Sequence, residues 1–136
     1  ILGNGYKTKN IVSHIDDEGH DQFTKITFLY DHAVASATVA KGVKSEGELI
    51  VSGTKGYIYV PAPWWKTDYF EIRYEEASQN KRYFYQLDGE GIRYELVAFT
   101  RAIESGRNLS YVDSNVSNRI CEVVGDFYAQ KDCAMI

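Results

Sequence analysis

The residues best suited to chemistry lie in the run PAPWWK at positions 61–66. Two adjacent tryptophans, Trp64 and Trp65, stand on a loop that prolines stiffen, with Lys66 next in the chain and Tyr69 nearby. Indole rings stack on sugar rings, and a lysine ammonium binds a hydroxyl or a carboxylate, a combination typical of small-molecule sites. We therefore predict that Trp64, Trp65 and Lys66 bind a substrate. The alternative is that one or both tryptophans cover the open end of the core, because large aromatic side chains are highly buried on average.

A second group of chemically capable residues falls within eight positions and consists of His14, Asp16, Asp17, His20 and Asp21. These residue types bind metal ions, and a metal site requires its ligands to converge on one point. The five residues instead straddle a strand end and a loop, without a recognised ligand spacing. We interpret the segment as a solvated turn, with a metal site as the alternative.

Motifs for nucleophilic catalysis and for nucleotide binding are missing from the sequence. Ser52 lacks the glycine two positions upstream that G-x-S-x-G requires. The run Gly53-Thr54-Lys55 does not have Walker spacing, and it lies between two predicted strands instead of opening a helix. Gly89 and Gly91 precede a predicted helix, but Tyr94 occupies the third glycine position of a dinucleotide fingerprint. By itself the chain is predicted to bind no dinucleotide.

The composition is ordinary for a globular domain, with 44% hydrophobic and 25% charged residues in a chain of 136. A net charge of −4 and a pI near 5.3 argue against nucleic acid as a partner, because nucleic-acid binders usually present a basic stripe. Two cysteines, Cys121 and Cys133, are too few for a disulfide framework, so a reduced, cytoplasmic setting is expected. No apolar run approaches the roughly 18 residues of a membrane span, and no secretory signal opens the chain, so neither a membrane nor secretion is expected.

Strand-like segments fill the first two thirds of the chain. Alternating apolar residues, separated by turn residues, predict strands over 10–15, 22–30, 33–43, 48–52, 57–60, 69–75 and 82–87. Residues 53–56 predict a four-residue hairpin connection with a glycine at each end. Pro61 and Pro63 are expected to end the pairing that precedes them, because proline cannot donate to a sheet ladder.

After the strands, the period of apolar residues changes from two to about 3.6. Spacings of four, three and four predict an amphipathic helix whose apolar residues are Ile92, Leu96, Phe99 and Ile103. This helix is expected to end at Gly106, and a second one to run from the N-cap Asp113 to about Lys131. Strands followed by helices indicate the α+β class, with a mostly antiparallel, open-faced sheet and helices packed on one face. We expect one α+β domain over residues 1–136.

Tyrosine is enriched, with eleven residues in the chain. Alternation places Ile58 and Val60 on one face of the predicted sheet, and Tyr57 and Tyr59 on the other. Tyrosine has an apolar body and a polar tip, so it suits a surface that is contacted as well as wet. We predict that the face with Tyr57 and Tyr59 is an interface through which the protein forms a homo-oligomer. The alternative is that the tyrosines reflect only the β propensity of the strands.

Two runs of the sequence resemble a known protein family. They are EGELIVSGTKGYIYVP at 46–61, in which two strands flank a G-T-K-G turn, and GEGIRYELVAFTRAIESG at 89–106, a helix with a final I-x-x-G. With the tryptophan loop that follows the first run, they are similar to the C-terminal domain of the Gfo/Idh/MocA family of NAD(P)-dependent sugar oxidoreductases. The resemblance extends over residues 8–128 and implies the fold of a glucose-fructose oxidoreductase-like C-terminal domain.

In that family, an N-terminal Rossmann domain holds NAD or NADP and the catalytic lysine of an E-K-P motif, while the C-terminal domain completes the substrate pocket and pairs subunits. The resemblance therefore implies a substrate-binding and oligomerisation domain of an oxidoreductase acting on a sugar, cyclitol or related polyol. The Rossmann half and a D-x-x-x-H-type helix are missing, and the chain begins at Ile1 instead of Met. We accordingly expect an excised C-terminal half that binds no cofactor, has no catalytic residues and is inactive alone. The alternatives are a free-standing ligand-binding module and a structural subunit that dimerises through its sheet.

Overall fold

The computed structural model describes residues 1–89, 91–108 and 112–136, and it belongs to the α+β class that the sequence predicts. These ranges contain two four-stranded, mostly antiparallel sheets and two α-helices. The chain divides into two compact units, residues 1–45 with 111–136 and residues 46–110. Each unit has one of the sheets and one of the helices. Neither helix described is long and apolar enough to cross a membrane.

The secondary structure follows the predicted order of strands and then helices. The helices are α1 (Ile92–Ser105) and α2 (Ser114–Tyr128). The strands are β1 (Thr8–Ile15), β2 (Asp21–Leu29), β3 (Val34–Ala40), β4 (Leu49–Gly53), β5 (Gly56–Val60), β6 (Tyr69–Tyr74), β7 (Lys81–Phe84) and β8 (Cys133–Met135). All seven predicted strands are confirmed, with β3 and β7 shorter than predicted. The additional strand β8 escaped prediction because three residues are too few to show a period.

The sheet of the first unit has the order β3-β2-β1-β8, in which β1, β2 and β3 form an antiparallel meander and β8 lies parallel to β1. Successive residues of β1 point to opposite faces. Ile11 is fully buried, whereas its neighbour Val12 is 40% exposed. Ile11 pairs with Ile26 of β2 and with Cys133 of β8, so it lies in the middle of the sheet. This strand therefore forms the centre of the unit's core.

Helix α2 begins where the sequence predicts and is tied to β1 by an ion pair. The carboxylate of Asp113 accepts the backbone N–H of Asn115 at 2.7 Å, as expected of an N-cap. The ammonium group of Lys9, whose side chain is only 5% exposed, donates to Asp126 at 2.5 Å and to Asp132 at 3.2 Å. The bond between Lys9 and Asp126 raises the pKa of the lysine and lowers the pKa of the aspartate. Both groups are therefore charged at neutral pH and hold the helix to the strand.

The sheet of the second unit is an antiparallel meander in the order β4-β5-β6-β7. Its first turn is tighter than predicted, because Gly53 and Gly56 face each other as the last pair and only Thr54 and Lys55 form the loop. A side chain on Gly56 would collide with the carbonyl oxygen of Arg73 in β6. The glycine thus allows β5 and β6 to approach closely, which the sequence pattern alone did not reveal.

Helix α1 confirms the predicted helix and its end. Gly106 caps it in the left-handed conformation, with φ of 63°, which glycine adopts without a steric penalty. No residue of α1 is buried, and the expected packing of this helix on a sheet face stays a prediction. The apolar side chains predicted to face the core are 60–66% exposed, namely Ile92, Leu96, Phe99 and Ile103.

Candidate functional site

The predicted substrate loop follows β5 in the second unit, and backbone hydrogen bonds fix its shape. The N–H of Trp64 donates to the carbonyl of Gly47 at 2.8 Å, and the ring of Trp65 lies against Gly47. The N–H groups of Lys66 and Thr67 both donate to the carbonyl of Pro63, at 2.9 and 3.2 Å. Leu49 and Val60 are the first pair of the β4–β5 ladder, so the loop lies just beyond that end of the sheet.

The two indole rings of the loop are perpendicular, with centroids 5.9 Å apart and an interplanar angle of 88°. Trp64 is 50% exposed and Trp65 is 57% exposed. Each ring is therefore about half buried, so a role in covering the end of the core stays open beside ligand binding. The pair presents two half-open aromatic faces at a right angle, and the neighbouring Lys66 is also exposed.

The chemistry that this loop offers is recognition. An aromatic face can bind the apolar C–H face of a sugar ring, and a second ring at a right angle can hold the edge of the same ligand. The ammonium group of Lys66 is a donor of up to three hydrogen bonds to hydroxyl or carboxylate oxygens. Trp64, Trp65 and Lys66, the three residues predicted to bind substrate, are consecutive in this loop, and all three are exposed.

Tyr57 and Tyr59 extend from β5 to the same face of the sheet. The register pairs Ile58 with Ile72 and Tyr57 with Arg73, so the apolar residues lie on the opposite face. The guanidinium group of Arg73 lies over the ring of Tyr59, 4.3 Å from its centroid, and 5.9 Å from that of Tyr57. It donates to the Tyr57 hydroxyl at 3.4 Å, and this bond, with those to a nearby glutamate, raises the pKa of Arg73.

A carboxylate joins the charged groups on this face. Glu71, whose side chain is 12% exposed, accepts from Nε of Arg73 at 2.6 Å and from Nε of Arg82 at 2.8 Å. Hydrogen bonds from Arg82 and then from Arg73 lower the pKa of Glu71. The guanidinium of Arg82 lies 4.8 Å from the ring centroid of Tyr69. We call this surface the tyrosine–arginine face and define it by Tyr57, Tyr59, Tyr69, Glu71, Arg73 and Arg82.

Prediction from the sequence identified the two tyrosines of β5 but missed the charged half of this face. The signal was present in the alternation of β6, where Glu71 and Arg73 flank Ile72 and must therefore lie opposite to it. Alternation does not predict that Glu71 pairs with Arg82 of β7, because this pair depends on the register of the β6–β7 hairpin.

The residues near His14 with metal-binding side chains form a turn around Asp16. Its carboxylate accepts the backbone N–H groups of His20 at 2.8 Å and of Glu18 at 3.0 Å, and the side-chain amide of Gln22 at 2.5 Å. These bonds, that of His20 foremost, lower the pKa of Asp16. Among the residues that the structure describes, no group of three or more His, Cys, Asp or Glu residues is arranged to hold a metal ion.

The first unit contains a separate cleft of about 300 Å³, with walls formed by β2 and α2. Its walls are almost entirely apolar, as at Phe28 and Ile120, whereas substrate sites combine apolar walls with polar groups that orient the ligand. The cation at its edge, Arg119, lies over the ring of Tyr6 at 5.2 Å and pairs with Glu122 at 2.6 Å. The tryptophan loop combines exposed aromatic rings with an exposed lysine, so it is the better candidate for a polar ligand.

No family model matches the chain, and no curated protein matches it. The function that we propose is supported by the geometry described above and by the resemblance of the two sequence runs.

Proposed function

We propose that the chain is the substrate-binding and oligomerisation domain of an NAD(P)-dependent oxidoreductase that acts on a sugar, a cyclitol or a related polyol. The observation that supports substrate binding most directly is the pair of perpendicular, half-exposed indoles beside Lys66. The resemblance supports the oxidoreductase context, because its two runs form the β4–β5 hairpin that precedes the tryptophan loop and the helix α1. With it we propose the glucose-fructose oxidoreductase-like fold type and a cytoplasmic location.

In this proposal the chain binds and orients the substrate and performs no chemical step. Trp64 and Trp65 hold the C–H face and the edge of the sugar ring, and Lys66 donates to one of its oxygens. In this proposal the chain itself holds no dinucleotide. Gly89 and Gly91 precede α1 but follow the antiparallel strand β7, whereas a dinucleotide-binding turn follows a strand of a parallel sheet. We therefore assign NAD or NADP to a Rossmann domain of the same protein.

Ligand titration of the 136-residue chain tests the recognition step. We expect myo-inositol, glucose or a related polyol to bind, as measured by calorimetry. If a sugar covers about 60 Å² of each indole, burial contributes about 1.5 kcal/mol per ring, so Trp64→Ala or Trp65→Ala should weaken binding about tenfold. Tyr85→Ala is the matched control, since it removes another exposed aromatic side chain of the same unit. Equal losses in all three variants, or no binding to any polyol, would contradict the proposed site.

The coding DNA upstream of the Ile1 codon tests the oxidoreductase context independently of any ligand. An in-frame G-x-G-x-x-G followed by E-K-P supports it, because those motifs hold the cofactor and the catalytic lysine in the family that the chain resembles. A start codon directly before the Ile1 codon contradicts it. Polyol binding together with such a start codon would favour the alternative of a free-standing ligand-binding module.

The oligomerisation half of the proposal concerns the tyrosine–arginine face, which we propose as a contact between copies. Tyr59→Asp removes an aromatic ring from this face and puts a hydrated carboxylate in its place, which should weaken self-association at neutral pH. Analytical ultracentrifugation at several concentrations measures the effect. A strictly monomeric wild-type protein would contradict this half of the proposal and would favour a ligand-binding module that acts as a single copy.

A further inference from the structure

Helix α1 exposes an apolar stripe along its whole length. Its four members are Ile92, Leu96, Phe99 and Ile103, each 60–66% exposed, and no residue of the helix is buried. Isolated helices shorter than about 12–15 residues are marginal in water, because most helical stability in proteins comes from packing an apolar face. At 14 residues, α1 is in this range. A partner surface over the stripe would supply the stability that the helix lacks alone.

We propose that the stripe is covered by α1 of a second copy of the chain, in an antiparallel pair related by a twofold axis. The spacing of four, three and four is the same in both directions along the helix. Antiparallel helices aligned at their midpoints therefore bring Ile92 against Ile103 of the second copy, and Leu96 against Phe99 of the second copy. A twofold interface requires such self-complementarity. The spacing is that of the apolar residues along which two paired helices meet, and we call this line of contact the seam.

Electrostatics favour the antiparallel direction. The helix dipoles oppose each other in an antiparallel pair, which places unlike partial charges together at each end. At the positions that flank the seam, Arg93 meets Thr100 of the second copy and Glu95 meets Ala102 of the second copy. No like charges face each other in this register. A parallel pair would align the two dipoles, which is less favourable.

The area of the stripe is consistent with a modest dimer. Each of its side chains exposes on the order of 100 Å², so pairing would bury about 800 Å² from two copies, and about 1,000 Å² with the flanking positions included. A total near 1,000 Å² is at the lower limit for a specific interface. We therefore expect a dissociation constant in the micromolar range. The contact is separate from the tyrosine–arginine face and does not depend on the proposed sugar chemistry.

Sedimentation velocity of the 136-residue chain, from about 1 to 200 µM, tests the pairing. Phe99→Glu places a charge in the seam and should raise the dissociation constant at least tenfold. Val97→Glu is the matched control, because it puts the same charge in place of an apolar side chain on the far side of α1. The dissociation constant of this variant should stay within about threefold of the wild-type value. Circular dichroism checks that both variants keep their helix content.

Thr100→Glu tests the direction of the pair. In the antiparallel register the new carboxylate meets Arg93 of the second copy, so association should tighten about twofold to threefold. In a parallel pair it would meet Glu95, so weaker association overturns the antiparallel proposal. A wild-type chain that stays monomeric at about 200 µM, or equal effects of Phe99→Glu and Val97→Glu, overturns the pairing itself. If Tyr59→Asp abolishes dimerisation and Phe99→Glu leaves it unchanged, the contact lies on the tyrosine–arginine face. That result also overturns the pairing through α1.

Discussion

Replacing Ile11 with alanine is expected to destabilise the first unit by about 3–4 kcal/mol. The side chain is fully buried, and it packs in register between Ile26 of β2 and Cys133 of β8. The change deletes three carbon groups, each contributing about 0.8 kcal/mol of burial, and the remaining cavity adds to this loss. A unit of about 70 residues has a stability of only about 4–10 kcal/mol, so Ile11→Ala should remove a large part of it.

Urea denaturation followed by far-UV circular dichroism measures this loss, and hydrogen exchange of the β1 amides locates it. Val12→Ala is the control, because Val12 is the next residue of the same strand and points to the opposite, 40% exposed face. Val12→Ala deletes two partly buried carbons and should destabilise the first unit by about 1 kcal/mol or less. Equal losses in both variants, or a larger loss for Val12→Ala, would refute the register of β1, since a slip of one residue exchanges the two faces.

Three further predictions concern backbone space and charge. Gly56→Ala should destabilise by about 1–3 kcal/mol, because the new methyl group collides with the carbonyl of Arg73, and thermal unfolding measures this loss. Gly125→Ala, in an exposed part of α2 with open space around the new methyl group, should instead stabilise by about 0.5–1 kcal/mol in the same assay. Arg82 and Arg73 lower the pKa of Glu71 from its ordinary 4.5. The ionised Glu71 therefore contributes to stability above about pH 4.5, and this contribution is lost as the pH falls through the lower pKa that Glu71 has in the folded protein. Urea midpoints of Glu71→Gln should therefore lie below those of wild type at pH 7 and converge with them in acid; a constant difference would contradict the ion pairs.

Much of this fold could be predicted because its strands and helices have clear periods. Hairpin strands such as β5 alternate residue by residue, and α1 and α2 have capping residues at the predicted positions. The features that escaped prediction depend on contacts between distant segments. The strand β8 exists through its pairing with β1, and the two-residue turn at Thr54 and Lys55 follows from the register of the glycines beside it.

In the candidate site, too, some features could be predicted from the sequence and others could not. Trp64, Trp65 and Lys66 are neighbours in the sequence, so their proximity needed no knowledge of the fold. The perpendicular geometry of the indoles could not be predicted, because the sequence shows neither the side-chain rotamers nor the backbone hydrogen bond from Trp64 to Gly47 that holds the loop. The exposure of the stripe on α1 was also unpredictable, since an amphipathic pattern indicates that a helix has an apolar face but does not identify the surface that covers it.

The charges of the tyrosine–arginine face favour its proposed role as a contact between copies. A surface that docks must lose water from its charged groups, and that loss is unfavourable when the charges have no partners. Here Glu71 is already largely shielded and accepts hydrogen bonds from Arg73 and Arg82. Both guanidinium groups also lie on tyrosine rings, a position that suits arginine because its planar, weakly hydrated group stacks on aromatic faces. The carboxylate of Glu71 has therefore lost much of its water within the folded chain, and a second copy that covered the tyrosine rings would add apolar burial without having to supply a partner for it.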